Sequence, residues 1–87
     1  MEDRQIIDLY WQRDPDAIEE SQQKYGAYCY TVSHNILHSR EDAEECVNDT
    51  WLHAWSSMPP HRPARLGLFL AKITRHLSFN RVEAMHA

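Results

Sequence analysis

Proline occurs in this chain only at positions 15, 59, 60 and 63, and glycine only at 26 and 67. Residues 16–58 therefore hold no proline and a single glycine, and a second proline-free stretch runs from residue 64 onward. Neither stretch alternates apolar and polar residues as a half-buried strand would. Both repeat apolar residues every three or four positions, as one face of a helix does. The spacing predicts an all-α fold: a small orthogonal or antiparallel bundle of about four helices with short connections. Eighty-seven residues are enough for one small domain, 1–87. A chain of this size buries a modest fraction of its surface and has a narrow margin of stability.

Each helix has a start signal or an apolar side. A first helix fits Asp3 to Arg13, with Ile6, Leu9 and Tyr10 inward. "RDPDAIEE" starts a second, with Asp14 as N-cap, Pro15 in the first turn and acids following. Its apolar side is Ile18, Tyr25, Cys29, Val32 and Ile36, and Gly26 within it is expected to mark a close approach to a neighbour. "SRED" opens the third helix, with Ser39 as cap and Asp42 placed to complete a capping box. Ala43, Cys46, Val47, Thr50, Ala54 and Met58 form its inner stripe, and Pro59-Pro60 stops it. After the loop "PPHRPARLG" a last helix runs from about Leu66 to Val82, with Leu66, Leu70, Ile73 and Leu77 inward. The expected core is Ile18, Tyr25, Cys29, Val32, Val47, Trp51, Ile73 and Leu77.

Two outer faces are not explained by that core. On the third helix Glu45, Asn48, Asp49 and Leu52 are surface neighbours at helical spacing. A leucine ringed by acids and an amide suits contact with a basic partner helix. On the last helix Leu68, Lys72, Arg75, Phe79 and Val82 share the outer side, and the preceding loop adds His61, Arg62 and Arg65. Cations that meet phosphates, beside a ring that stacks on a base, suit nucleic acid. The net charge of −4 conceals this division. Residues 1–58 carry four bases against twelve acids, a balance of −8, and residues 59–87 carry five bases against Glu83, a balance of +4.

Several function classes find no support. No run approaches the roughly 20 apolar residues of a membrane span. The acidic start "MEDRQIIDLYW" lacks the pattern of a signal peptide. A cytoplasmic location without membrane insertion is the expectation. Cys29 and Cys46 lie on apolar helix sides and read as core thiols. His34 and His38 have a spacing that can share a metal, but no third ligand is matched to them. No metal, cofactor or catalytic residue is assigned, and the chain is not read as an enzyme.

The stretch "YGAYCYTVSHNILHSREDAEECVNDTWLHAWSSMPPHRPARLGLFLAKITRHLSFNRV" resembles the second conserved region of bacterial sigma factors, and most of all the extracytoplasmic-function (ECF) group. The order of features carries the likeness: a "DPDA" helix start, Tyr-Gly, "EDAEECVNDTWLHAW", a Pro-rich loop and a basic amphipathic helix. The resemblance implies docking on the coiled coil of the RNA polymerase β′ clamp. It also implies recognition and melting of the promoter −10 element, with capture of the non-template strand. Glu45, Asn48 and Asp49 stand at the family's clamp-binding positions, with Leu52 one turn beyond. Pro59 to Arg65 corresponds to the DNA-reading loop and Leu66 to Val82 to the melting helix. Asn48-Asp49 replaces the commoner Gln-Glu, Phe69 stands where an aromatic pair is usual, and the closing basic run is missing. The family's helix-turn-helix domain, region 4, has no counterpart in these residues.

The expectation is therefore a polymerase-docking and promoter-opening domain. Glu45, Asn48, Asp49 and Leu52 are assigned to polymerase, and His61, Arg62, Arg65, Lys72, Arg75 and Phe79 to promoter DNA. An anti-sigma factor is a further possible partner. The alternative is a protein-interaction module, binding polymerase or an anti-sigma factor without engaging DNA.

Overall fold

A computed structural model describes residues 1–86. They form four helices: α1 Asp3–Trp11, α2 Asp16–Leu37, α3 Arg40–Ser57 and α4 Leu66–Met85. Helices α2, α3 and α4 pack pairwise, and α1 lies against α2 and α4. The all-α bundle expected from the spacing is the fold observed.

Local chemistry fixes the ends. Glu2 and Gln5 form a reciprocal capping box at α1. The cap position of α2 falls on Pro15, one residue later than expected, and the Asp14 carboxylate just before it accepts from the Asp16 amide at 2.9 Å. His38 ends α2 in the left-handed region at φ 54° and donates its amide to the His34 carbonyl at 2.8 Å. Ser39 accepts from the Asp42 amide at 3.4 Å, but the expected return bond from the Ser39 amide to the Asp42 carboxylate is not made. Asp42 instead accepts from Arg81 Nε of α4 at 3.2 Å. A guanidinium offers the carboxylate a charge-assisted bond that the cap amide cannot match. The last helix continues past Val82 to Met85.

The core centres on Ile6, Tyr10, Cys29, Trp51, Met58, Leu66 and Leu70. Of the residues expected there, Cys29 and Trp51 are buried, whereas Ile18, Tyr25, Val47 and Ile73 are half-buried at its edge. Val32 and Leu77 are half-buried and line surface grooves. The reason is that the seams are built from small and hydroxyl residues: Ala17, Ser21, Cys29 and Ser33 on α2, and Leu66, Leu70, Thr74 and Ser78 on α4. Their hydroxyls pair across helices, Ser33 with Ser78 at 2.8 Å, Thr50 with Thr74 at 2.8 Å and Tyr10 with Ser21 at 2.7 Å. Ser21, Thr74 and Ser78 also make bonds to carbonyls one turn back, so each pair has an acceptor for its second proton. Buried polar groups are tolerated only when so satisfied. Among the described residues no buried side-chain nitrogen or oxygen lacks a partner.

The close approach expected at Gly26 lies elsewhere. No heavy atom stands within 4 Å of a Cβ placed on Gly26. A Cβ on Gly67 would meet Tyr25 Cε1 at 2.8 Å, so α4 enters the bundle flat against that ring. The Tyr25 hydroxyl donates to the Asp3 carboxylate at 2.7 Å, and Lys24 pairs with the same carboxylate at 2.7 Å. Burial and the neighbouring Asp3 carboxylate push the Tyr25 phenol up to about 12. Burial works against Asp3 ionising, but the bonds from Lys24 and Tyr25 outweigh it and hold Asp3 below its ordinary value.

The loop between α3 and α4 is tied to the far end of α1. The Met58–Pro59 and Pro59–Pro60 peptides are cis. Arg13 takes a left-handed conformation at φ 57° and donates to the Trp55 and Met58 carbonyls at 2.7 and 2.8 Å. Trp11 Nε1–H donates to the His61 carbonyl at 3.1 Å. The two Arg13 bonds occupy carbonyls of the last turn and cap of α3 that have no helical partner, and the Trp11 bond holds the loop itself.

Candidate functional site

The outer side of α3 presents Glu45, Asn48, Asp49 and Leu52 together, all exposed. Leu52 is 61% exposed, the most open large apolar side chain in the described residues. Helical geometry alone produces the grouping, since residues three and four apart share a surface. Glu45 is engaged from within: Arg81 of α4 reaches over to pair with it and with Asp42, the latter at 3.0 Å. Asp49 forms no ion pair among the described residues. The face therefore offers a cation one uncommitted carboxylate, one shared carboxylate, an amide and an apolar anchor.

The second surface is made by the loop and α4. The His61 ring stacks on Phe69, with centroids 4.9 Å apart and planes 22° from parallel. Beneath them lies a pocket of about 390 Å³ with an apolar floor of Phe69, Ile73 and Leu77. Lys72 and His76 from α4, His61 from the loop and His53 from α3 provide its polar rim. Farther along α4 the Arg75 guanidinium lies 5.5 Å from the Phe79 ring centroid, and Leu68 and Phe79 remain exposed. A flat apolar slot rimmed by nitrogen donors can hold a base taken out of its stack, with lysine and arginine on the adjoining phosphates.

The structure thus gathers His61 and Lys72 at one pocket, with Arg75 and Phe79 further along the same helix. Arg65 is exposed at the start of α4. Arg62 points the other way: it pairs with Asp8 of α1 and lies 5.8 Å from the Trp11 ring. His53 and His76 were not among the sequence candidates. His76 sits one turn from Lys72 and was within reach of helical spacing, whereas His53 comes from another helix and needed the tertiary fold.

Other features are plainer. Cys29 and Cys46 are buried free thiols, and burial pushes the Cys29 thiol up. The His34 ring stacks on Tyr30 at 5.6 Å and meets His38 edge-on at 6.5 Å. Among the described residues no group of three or more His, Cys, Asp or Glu is placed to hold a metal. No described helix is long and apolar enough to cross a membrane.

A protein-family model described as sigma-70 region 2 matches residues 18–84. No curated protein and no solved structure matches the chain.

Proposed function

Since this chain belongs to the sigma-70 region 2 family, we propose that its two outer faces divide transcription initiation between polymerase and promoter. The family serves transcription initiation and promoter recognition, with the RNA polymerase core and promoter DNA as partners. In our reading the domain is of the ECF type, on the order of its "DPDA", Tyr-Gly, "EDAEECVNDTWLHAW" and Pro-rich loop motifs. Glu45, Asn48, Asp49 and Leu52 dock on the β′ clamp coiled coil. His61, Arg65, Lys72, Arg75 and Phe79 face the non-template strand of the −10 element, with a base in the Phe69 pocket. Arg62 joins them through the backbone it anchors to Asp8. The domain acts in the cytoplasm and performs no catalysis.

The observation that carries this reading is the exposed Leu52 beside the acids of α3. A leucine so open contributes little to folding, and acids around it select a cationic partner. The test is a titration with a purified β′ clamp coiled-coil fragment, comparing the unmodified domain with Asp49→Lys. Saturable binding by the first and none by the second, with equal helicity by circular dichroism, is the expected result. Leu52→Ala should weaken binding while leaving the thermal midpoint nearly unchanged. A large drop in that midpoint would put Leu52 in the core and overturn the assignment.

A further inference from the structure

Between α2 and α3, beside the acidic face, runs a groove of about 310 Å³. Gln22, Gly26 and Tyr30 line it from α2, and Glu44, Val47, Asn48 and Trp51 from α3. Trp51 is 2% exposed and forms part of the floor. The others supply an aromatic ring, an apolar side chain, two amides and a carboxylate. Asn48 belongs both to this groove and to the α3 docking face, so the two are continuous.

Gly26 is the odd member. It sits inside α2, where glycine is among the weakest helix formers. Its backbone is not left-handed, so conformation does not require glycine. No atom lies within 4 Å of where its Cβ would be, so packing does not require glycine either. What the missing side chain provides is open space on the wall of the groove.

We propose that this groove receives an arginine side chain from the helix that docks on α3. The inference rests on the docking reading above. Charge selects a cation, because α3 carries Glu41, Asp42, Glu44, Glu45 and Asp49 against its own Arg40 and the bridging Arg81 of α4, an excess of three acids. Shape and donor count select a guanidinium over an ammonium. A flat fork with five donors matches the Glu44 carboxylate together with the Gln22 and Asn48 amide oxygens, and its methylene stem has Val47 to lie on. Arg40 now holds Glu44 at 3.0 Å in an exposed pair, with 80% of the Arg40 side chain in solvent. Such a pair is weak and is readily exchanged for a partner's arginine.

The test uses the whole chain and the β′ clamp coiled-coil fragment. Gly26→Ala and Gly26→Met both place a better helix former in α2, and Met also extends into the groove. Both variants should melt a few degrees above the unmodified domain. Gly26→Met should bind the fragment roughly tenfold more weakly or worse, and Gly26→Ala should lose less. Each arginine of the fragment is then changed to lysine and titrated against the unmodified domain and Gly26→Met. One of those changes should weaken binding to the first and make no further difference to the second. If Asp49→Lys abolishes binding while Gly26→Met binds normally, the docking reading stands and the groove assignment is overturned. If Gly26→Met weakens binding but no arginine-to-lysine change couples to it, the guanidinium assignment is overturned. Absence of binding by the unmodified domain overturns both.

Discussion

The Arg13 guanidinium lies 3.8 Å from the centroid of the Trp55 ring while donating to the carbonyls of Trp55 and Met58. One side chain from the end of α1 thus closes the end of α3 and fixes the take-off of the following loop. Its left-handed backbone aims the side chain there. Arg13→Ala should lower stability by about 1–2 kcal/mol, the range of a charged hydrogen bond with a cation–π contact. Arg13→Lys should recover less than half, because an ammonium can reach the two carbonyls that Nη1 now serves but has no plane to lay on the Trp55 ring. Urea unfolding midpoints of the three proteins decide the matter.

Gly67→Ala should destabilise, against the usual gain when alanine replaces a helical glycine. The added Cβ would stand 2.8 Å from the Tyr25 ring, which is itself fixed by its bond to Asp3. Overpacking of this kind costs about 1–3 kcal/mol. Thermal and urea melts of Gly67→Ala should fall below the unmodified domain, whereas those of Gly26→Ala should rise above it.

Alkaline stability should depend on Tyr25. Its folded phenol is raised to about 12 from an ordinary 10.0, so the folded state keeps a proton that the unfolded state gives up. That contribution is full below pH 10 and declines as pH rises from about 10 through about 12. Asp3 acts with the opposite sign. Its lowered value adds stability above the ordinary 3.8, lost as acid carries the pH down through the folded value. Tyr25→Phe should flatten the alkaline decline in urea midpoint and remove one late-titrating tyrosinate from the absorbance titration.

Lys72→Glu with Arg75→Glu should weaken binding of a single-stranded −10 oligonucleotide and leave clamp-fragment binding intact. The slope of log affinity against log salt should shrink by about 0.7 for each phosphate that the domain no longer neutralises. Unchanged DNA affinity would favour a protein-interaction module that uses only the α3 face.

The fold was legible because four prolines and the helical spacing leave few alternatives. The two outer faces were legible for the same reason, since residues on one helix reveal their neighbours at three and four positions. The depth of each residue was legible only in part: Cys29, Thr50, Trp51, Met58, Leu66 and Leu70 are buried as expected. Periodicity ranks residues by hydropathy, so elsewhere it favoured Ile18, Val32, Ile73 and Leu77 over Ser21, Ser33, Thr74 and Ser78, which fill the seams. A hydroxyl at the seam is satisfied only by a partner on another helix, as Ser33 is by Ser78, and no local pattern shows that partner. Arg13, Trp11 and Asp8 were likewise silent, because their work is done on residues some 40 or more positions away. Gly67, not Gly26, proved to be the crowded glycine for the same reason.

The Arg81 bridge to Asp42 and Glu45 changes what docking on α3 entails. Glu45 meets any visitor already neutralised, so a cation that claims it must evict a resident. The trade returns little net attraction and rewards only a newcomer whose geometry improves on the occupant's. In the proposed docking Asp49, which forms no ion pair among the described residues, would contribute the long-range pull and the sensitivity to salt. One carboxylate would draw the partner in, and the other would check its fit.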